Sequence, residues 1–391
     1  MTIKKKVLLV SPGIPYPPVD GHKLKIYNIL KILKLNYDVD LVVITSEKLS
    51  IEAKQFLDDN CNSYKIFRFN KLRFLLNLFT GFFIKKVPFQ VLYYKFRAVR
   101  NYLAPRSNNY NYVFFNIIRT TGYFELFDRN KIIVDMVDSI GINYLRSRKR
   151  TESFLHKAIY NLEAARLINY ERKIVSEAKV TLFVNKSEAA SYSKWGCVKW
   201  LPNGVNEELL EIKFNNGKYK NYVCFFGAMF YQPNIDAALW FIKHVLPKLN
   251  KDIIFCILGQ RPSSKILKAQ EENKNVIVTG YLDNPYEIFQ SSLCSVAPMQ
   301  TGGGIQNKIL ESMALGQITI TNKLGFHPIT GAIDRKHILV AHTPDEFATI
   351  INNLFANDKS LEDIKYNARE FIRNNFSWTS YKIQLTEILE S

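Results

Sequence analysis

Three glycines, Gly302, Gly303 and Gly304, precede Lys308 and Glu311 in the stretch VAPMQTGGGIQNKILESMALG. These residue types at this spacing can hold a phosphorylated, hydroxylated ligand. Glycines lacking a Cβ leave backbone N–H groups open to an anion, and the start of a following helix favours negative charge there. Lys308 adds a compact positive charge near the helix start. Glu311 lies one turn further on, and an ionised carboxylate, which only accepts, can take hydrogen bonds from two adjacent ribose hydroxyls. Three glycines alone describe a tight strand-to-helix turn equally well, and a lone glutamate is ordinarily a solvated helix residue. Ile305 completes the loop, and Arg261 in GQRPSS is a further loop cation.

Other candidates stand at the ends of apolar runs. Gly13 and the Asp20–Gly21 pair follow the run KVLLV, where Gly21 also reads as an ordinary turn glycine and His22 is a candidate by position alone. Asp138 and Ser139 follow KIIVDMV at the carboxyl end of a strand; Asp135 reads as an ordinary carboxylate within the run. Asn203 and Gly204, in LPNGVN, make a turn that shapes a hinge between halves. Gly227 closes YVCFFG, and Tyr281 and Leu282 follow NVIVTG.

Positioning these residues takes two α/β domains. A chain of 391 residues exceeds one ordinary core and divides into domains of roughly 150–200 residues. The first half reads strand, glycine-proline loop, helix, strand, with HKLKIYNILKILKLN helical through Leu24, Tyr27, Ile29, Leu30 and Leu33. The second half repeats that logic, with Pro233 and Asn234 opening a helix. Such alternation predicts parallel sheets. The expected organisation is a first domain over residues 1–205, a second over 206–374, and a final amphipathic helix over 375–391.

Composition narrows the class. With 47% hydrophobic and 23% charged residues the chain reads as globular. The five cysteines form no CxxC pair, and three lie in or beside apolar runs, so a disulfide framework or zinc site is not expected and a reducing compartment is. The apolar run after the N-terminal lysines is only VLLV, a strand rather than a secretory core, and no stretch reaches the ~18 apolar residues of a membrane span.

The net charge of +18 calls for an anionic partner. Residues 65–106 hold ten Lys or Arg, eleven aromatics and no acid. Interleaved like this, they describe either a surface lying in an anionic membrane interface or a helix pair with buried aromatics and solvated charges. The absence of acids favours the membrane.

The longer string around Glu311 resembles the donor-site signature of the retaining GT-B glycosyltransferases of family GT4, the group 1 enzymes of bacterial polysaccharide and O-antigen synthesis. Five further elements in order resemble it too: SPGIPYPPVDGHKLKIYNIL, VDMVDSIGINY, INYERKIVSEAKVTLFVNKSEAASY, LPNGVN and FFGAMFYQPNIDAALWFIKHVLPKL. The resemblance implies two Rossmann-like domains facing a cleft, with the C-terminal helix packed back on the first. It implies a nucleoside diphosphate sugar on the second domain and a glycan acceptor, such as a lipid-linked oligosaccharide, on the first. It implies no divalent metal, no cofactor, no protein nucleophile and no nucleic-acid partner. The location expected is cytoplasmic, peripheral on the inner membrane face. Gly13, Asp20, Gly21, Asn203, Gly204, Gly227, Arg261, Tyr281, Leu282, Gly302, Gly303, Gly304, Ile305, Lys308 and Glu311 are then the donor-site candidates, and Asp138, Ser139 and Lys308 the catalytic ones. Two features depart from the pattern. The family's first glutamate of E-x7-E is Gly303 here, and the Arg and Lys expected after Gly227 are missing from GAMFYQPN. Nucleotide-sugar 2-epimerases share the fold and are the rival enzyme class; a non-catalytic basic binder would leave GGGIQNKILE unexplained.

Overall fold

The computed structural model describes residues 4–18, 21–82, 87–148, 154–212, 217–301, 304–356 and 361–391. The expected position Asp20, the glycines Gly302 and Gly303, and the basic pair Lys85 and Lys86 lie outside the described residues. Two compact units emerge: Met1–Pro202 with Lys382–Ser391, and Asn203–Tyr381.

The first unit is built on β1 (Lys5–Ser11), β2 (Tyr37–Thr45), β3 (Ser63–Arg68), β4 (Tyr112–Asn116), β5 (Ile132–Val137), β6 (Val180–Phe183) and β7 (Val198–Trp200). They form one sheet in the order β3-β2-β1-β4-β5-β6-β7, parallel throughout. Helices cover both faces of a parallel sheet, so its central strands become continuous apolar runs; β4 is buried at every residue, and β1 from Val7 onward. Helix Gly21–Asn36 buries Ile26, Ile29, Leu30 and Leu33 and also Lys25. Lys25 does not fit the apolar stripe, and its partner explains it: Nζ donates to Asp135 Oδ1 at 2.8 Å, with both side chains essentially without exposure. Asp135, expected to be an ordinary carboxylate, is instead half of a buried ion pair. Asn116 also reaches it, Nδ2 to Oδ2 at 3.4 Å.

The basic aromatic segment packs much of its aromatic content inside this unit. Phe69 stacks on Phe96 with centroids 3.7 Å apart, and Phe74 stacks on Tyr93 at 4.7 Å. Its cations find partners beyond the segment, since Arg100 pairs with Glu125. Helix Lys71–Phe82 nevertheless leaves Leu72, Leu75 and Leu76 exposed at 62%, 49% and 53%, beside exposed Lys71 and Arg73.

The second unit is built on β8 (Tyr222–Phe226), β9 (Ile254–Leu258), β10 (Val276–Gly280), β11 (Cys294–Ala297), β12 (Thr319–Thr321) and β13 (Leu339–Val340), in the order β10-β9-β8-β11-β12-β13. All pairings are parallel. Strand order reverses direction at β8–β11, and in open α/β sheets ligands bind beyond the carboxyl ends of strands at such a switch point. Cys224, Cys256 and Cys294 are buried free thiols in this sheet, small hydrophobes as expected. No described helix is long and apolar enough to cross a membrane.

Candidate functional site

Helix Asn307–Ala314 follows β11 and carries Lys308 and Glu311. It is fixed over its C-terminal half. Ser312 Oγ lies 2.6 Å from Thr319 Oγ1 and also bonds Ser295 Oγ, tying the helix to β12 and β11. At its C-terminus Gly316 takes φ +67, the left-handed turn glycine permits, and Arg369 donates to the carbonyls of Ala314 at 3.2 Å and Leu315 at 2.6 Å.

Beyond β8 the chain turns at Gly227, φ +153, and beyond β9 at Gly259, φ +157. A Cβ on Gly227 would sit 2.7 Å from Asn234 Nδ2 and 3.2 Å from Lys308 Nζ, so the glycine is required by close approach. Asn234 opens helix Gln232–His244. Its Nδ2 donates to Ala228 O at 2.9 Å, and its Oδ1 accepts from Lys308 Nζ. That ammonium also stands 4.6 Å from the centroid of the buried Phe225 ring.

Glu311 is partly covered as a residue, but its Oε2 is buried and meets no hydrogen-bond partner among the described residues. Burial pushes its carboxyl up to about 7, with Lys308 pulling the other way. Burial equally pushes the Lys308 ammonium down to about 7, with Glu311 opposing. Tyr286, on helix Tyr286–Ser291, has its hydroxyl pushed up by burial and by Glu311. A buried acceptor without a donor is costly, by about 1–3 kcal/mol. The arrangement is therefore an unfinished one: a carboxylate that can accept hydroxyl donors beside an ammonium that can meet an anion.

The remaining donor-site candidates take varied places. Gly304 and Ile305 are half-buried on the approach to the helix. Arg261 is exposed in the left-handed region, φ +50, its guanidinium 4.7 Å from the ring of Phe230 rather than beside Lys308. Tyr281 is 71% exposed and Leu282 half-buried, after Gly280 at φ +69. Asn203 is half-buried with Oδ1 shielded and without a hydrogen-bond partner among the described residues. Gly204 packs on backbone: its Cβ would lie 2.5 Å from Trp378 N and 2.7 Å from Ser377 C, so the glycine is needed for that contact. In the first unit Gly13 is half-buried with open space where a Cβ would go, and Gly21 is exposed at its helix start.

The carboxyl ends of β4 and β5 hold a second polar group. Ile117 and Val137 both lie in the left-handed region, φ +62 and +63. For β-branched residues that is strained, and such strain gathers at functional sites. Asp138 Oδ1 is buried without a hydrogen-bond partner among the described residues; burial raises its carboxyl, against Lys25 and Arg146. Ser139 is differently engaged. It is fully buried, its Oγ donates to Glu171 Oε2 at 2.7 Å and lies 3.1 Å from Tyr192 OH, and its N–H donates to Glu188 Oε2 at 2.7 Å. Gly141 N–H donates to Glu171 Oε1 at 3.1 Å. The hydroxyl expected to touch an acceptor instead completes the start of helix Ile140–Arg148, where the first N–H groups need acceptors. Burial, then the neighbouring Asp138, push Glu188 up to about 7. His22 Nε2 stands 2.7 Å from Asn116 Oδ1. Asn234, Tyr286, Glu171 and Glu188 are the residues that sequence reasoning missed. The spacing around Asn234 marked a helix opening and nothing more. Among the described residues no three His, Cys, Asp or Glu gather where they could hold a metal ion.

Residues 220–357 match the family Glycosyl transferases group 1. An uncharacterized 44.6 kDa protein in the cps region of Klebsiella pneumoniae is 26% identical over 391 residues, covering 95% of this chain and 96% of its own. Among solved structures, sucrose-phosphate synthase from Thermosynechococcus elongatus superposes with TM-score 0.70 at 15% identity, covering 99% of this chain and 98% of its own. Anabaena HepE in complex with UDP superposes with TM-score 0.68 at 12% identity, covering 98% and 99%. At such identities the structural likenesses speak for the GT-B fold, and the family match on the second unit for the chemistry: the chain is a glycosyltransferase.

Proposed function

We propose that this glycosyltransferase is a retaining, metal-independent enzyme of the GT4 type. It moves a sugar from a nucleoside diphosphate sugar to a lipid-linked glycan in surface polysaccharide synthesis. The observation that carries the donor site is the buried Oε2 of Glu311, without a hydrogen-bond partner among the described residues, beside the Lys308 ammonium. Glu311 takes the ribose hydroxyls, and Lys308 with the Gly304 backbone meets the diphosphate. Since Lys308 is held by Asn234 before the ligand arrives, its effect is positioning and stabilisation of the departing diphosphate. The leaving phosphate helps to deprotonate the acceptor, with no protein nucleophile. Asp138 faces the acceptor or the transferred sugar, with Ser139 beside it, its hydroxyl bonded to Glu171. The relative in a cps region supports the polysaccharide role, and HepE and its bound UDP support a nucleotide-sugar donor.

The exposed Leu72, Leu75 and Leu76 beside Lys71 and Arg73 support peripheral contact with an anionic membrane face, which would bring a lipid-linked acceptor within reach. The donor assignment is tested by thermal shift with uridine, guanosine, adenosine and thymidine diphosphates. A true ligand raises the melting temperature by mass action, more so in the parent than in Lys308→Ala. Turnover is expected to persist in EDTA.

A further inference from the structure

Lys308 reaches the proposed diphosphate position from a buried setting, and the contact that aims it lies outside the glycine-lysine-glutamate string. We infer that Asn234 is a positioning residue that holds the Lys308 ammonium, charged and correctly placed, for the donor's diphosphate. This rests on the donor-site reading above.

The geometry leaves the amide one orientation. Ala228 O can only accept, so the amide nitrogen of Asn234 must face it, at 2.9 Å. Lys308 Nζ can only donate, so the amide oxygen must face Lys308. Two independent neighbours thus settle which way the side chain points. Asn234 is 5% exposed, and its own N–H is held by Tyr231 O at 2.9 Å in the first turn of helix Gln232–His244. Gly227 leaves room for both partners, since any Cβ there would strike Asn234 Nδ2 at 2.7 Å and crowd Lys308 Nζ at 3.2 Å. One side chain therefore joins the turn after β8, the helix after it and the helix after β11.

The choice of an amide matters chemically. Lys308 is half-buried against the Phe225 ring, a setting that favours loss of its proton. An amide oxygen stabilises the ammonium without cancelling its charge. A carboxylate at the same place would stabilise it more and neutralise it toward phosphate. The ionisable groups that face Lys308 are Glu311 from its own helix and, through Glu311, Tyr286 from helix Tyr286–Ser291. Strand β8 offers the Phe225 ring, and helix Gln232–His244 offers Asn234.

The test is calorimetric titration at pH 6 to 9. The probes are the tightest binder among uridine, guanosine, adenosine and thymidine diphosphates, and its nucleoside. The readout is the ratio of diphosphate to nucleoside affinity. Lys308→Ala serves as the baseline, because it carries the nucleotide's own titration alone. In the parent this ratio is expected to fall as pH rises through the titration of Lys308. Asn234→Ala should move that fall down by about one to two pH units, the loss of one hydrogen bond to a charged group. Mild acid should restore the ratio. Asn234→Asp, close to isosteric and the safer variant for folding, should lower the ratio about tenfold across the range and move the fall upward. Nucleoside affinity should stay with the parent in both. If Lys308→Ala lowers the ratio while both Asn234 variants keep the parent's ratio and midpoint, Asn234 is a packing residue and the inference is wrong. If no diphosphate binds the parent, or Lys308→Ala changes nothing, the donor-site reading fails and the inference with it.

Discussion

Removing the Glu311 carboxylate is the most informative single perturbation. Its Oε2 is buried without a hydrogen-bond partner among the described residues, and burial holds the carboxyl up at about 7. Two consequences can be worked out. A hydrogen bond to a charged group contributes about 1.5–3 kcal/mol, so Glu311→Ala should weaken nucleoside binding roughly 10- to 100-fold. Glu311→Gln keeps one acceptor oxygen and should lose less. The second consequence is a pH dependence with a definite sign. The ligand's hydroxyls need the ionised form, which burial disfavours below about pH 7. Parent affinity for the nucleoside should therefore fall as pH drops, by roughly tenfold at one unit below that point. Glu311→Gln has no proton to release and should be flat across the same window. Calorimetry with the nucleoside between pH 5.5 and 8.5 reads both. Circular dichroism checks that the fold is kept. Should Glu311→Ala bind like the parent, or Glu311→Gln show the parent's pH slope, the carboxylate is structural and the site is misplaced.

Sedimentation with anionic vesicles should drop, and lose its salt sensitivity, when Lys71, Arg73 and Arg97 become Ser; equal binding to neutral and anionic vesicles would refute the electrostatic contact. Glu188 has its folded pKa raised from 4.5 to about 7, so the stability this gives is full below 4.5 and is lost as pH rises through 7. The unfolding free energy of the parent relative to Glu188→Gln should accordingly fall over that window, by at most about 3 kcal/mol; a difference that rises with pH would reverse the assignment. Leu385, fully buried in the last ten residues that group with the first unit, should cost about 2–5 kcal/mol as Ala in urea unfolding, and a change below ~1 kcal/mol would show the segment to be loosely held.

Both parallel sheets were legible, because buried strands write themselves as unbroken apolar runs such as KVLLV and YVCFF. Apolar periodicity also found helix Gly21–Asn36, but it left out Lys25, whose reason for facing inward is Asp135, 110 residues away. Ser139 was placed rightly at a strand's carboxyl end. Its occupation depends on Glu171 and Tyr192, which no local pattern connects to it. Asn234 read as a helix opener, since its contact with Lys308 spans 74 residues. For the basic segment, composition reported charge without pairing, and Glu125 beyond its end supplies the acid the segment lacks. Sequence thus marked where strands end and which residue types gather there, while the partners that fix each side chain come from distant parts of the chain.

Sugar transfer from a nucleoside diphosphate donor bound at Glu311 and Lys308 is tested by release of nucleoside diphosphate from uridine, guanosine, adenosine and thymidine diphosphate sugars. The assay is run with and without lipid-linked glycans extracted from cells that make the protein. Release from one donor class is expected, dependent on the lipid extract, matched by sugar gained on the lipid, and lost in Lys308→Ala. Release of free sugar at the same rate without the extract, or full activity in Lys308→Ala, would contradict it.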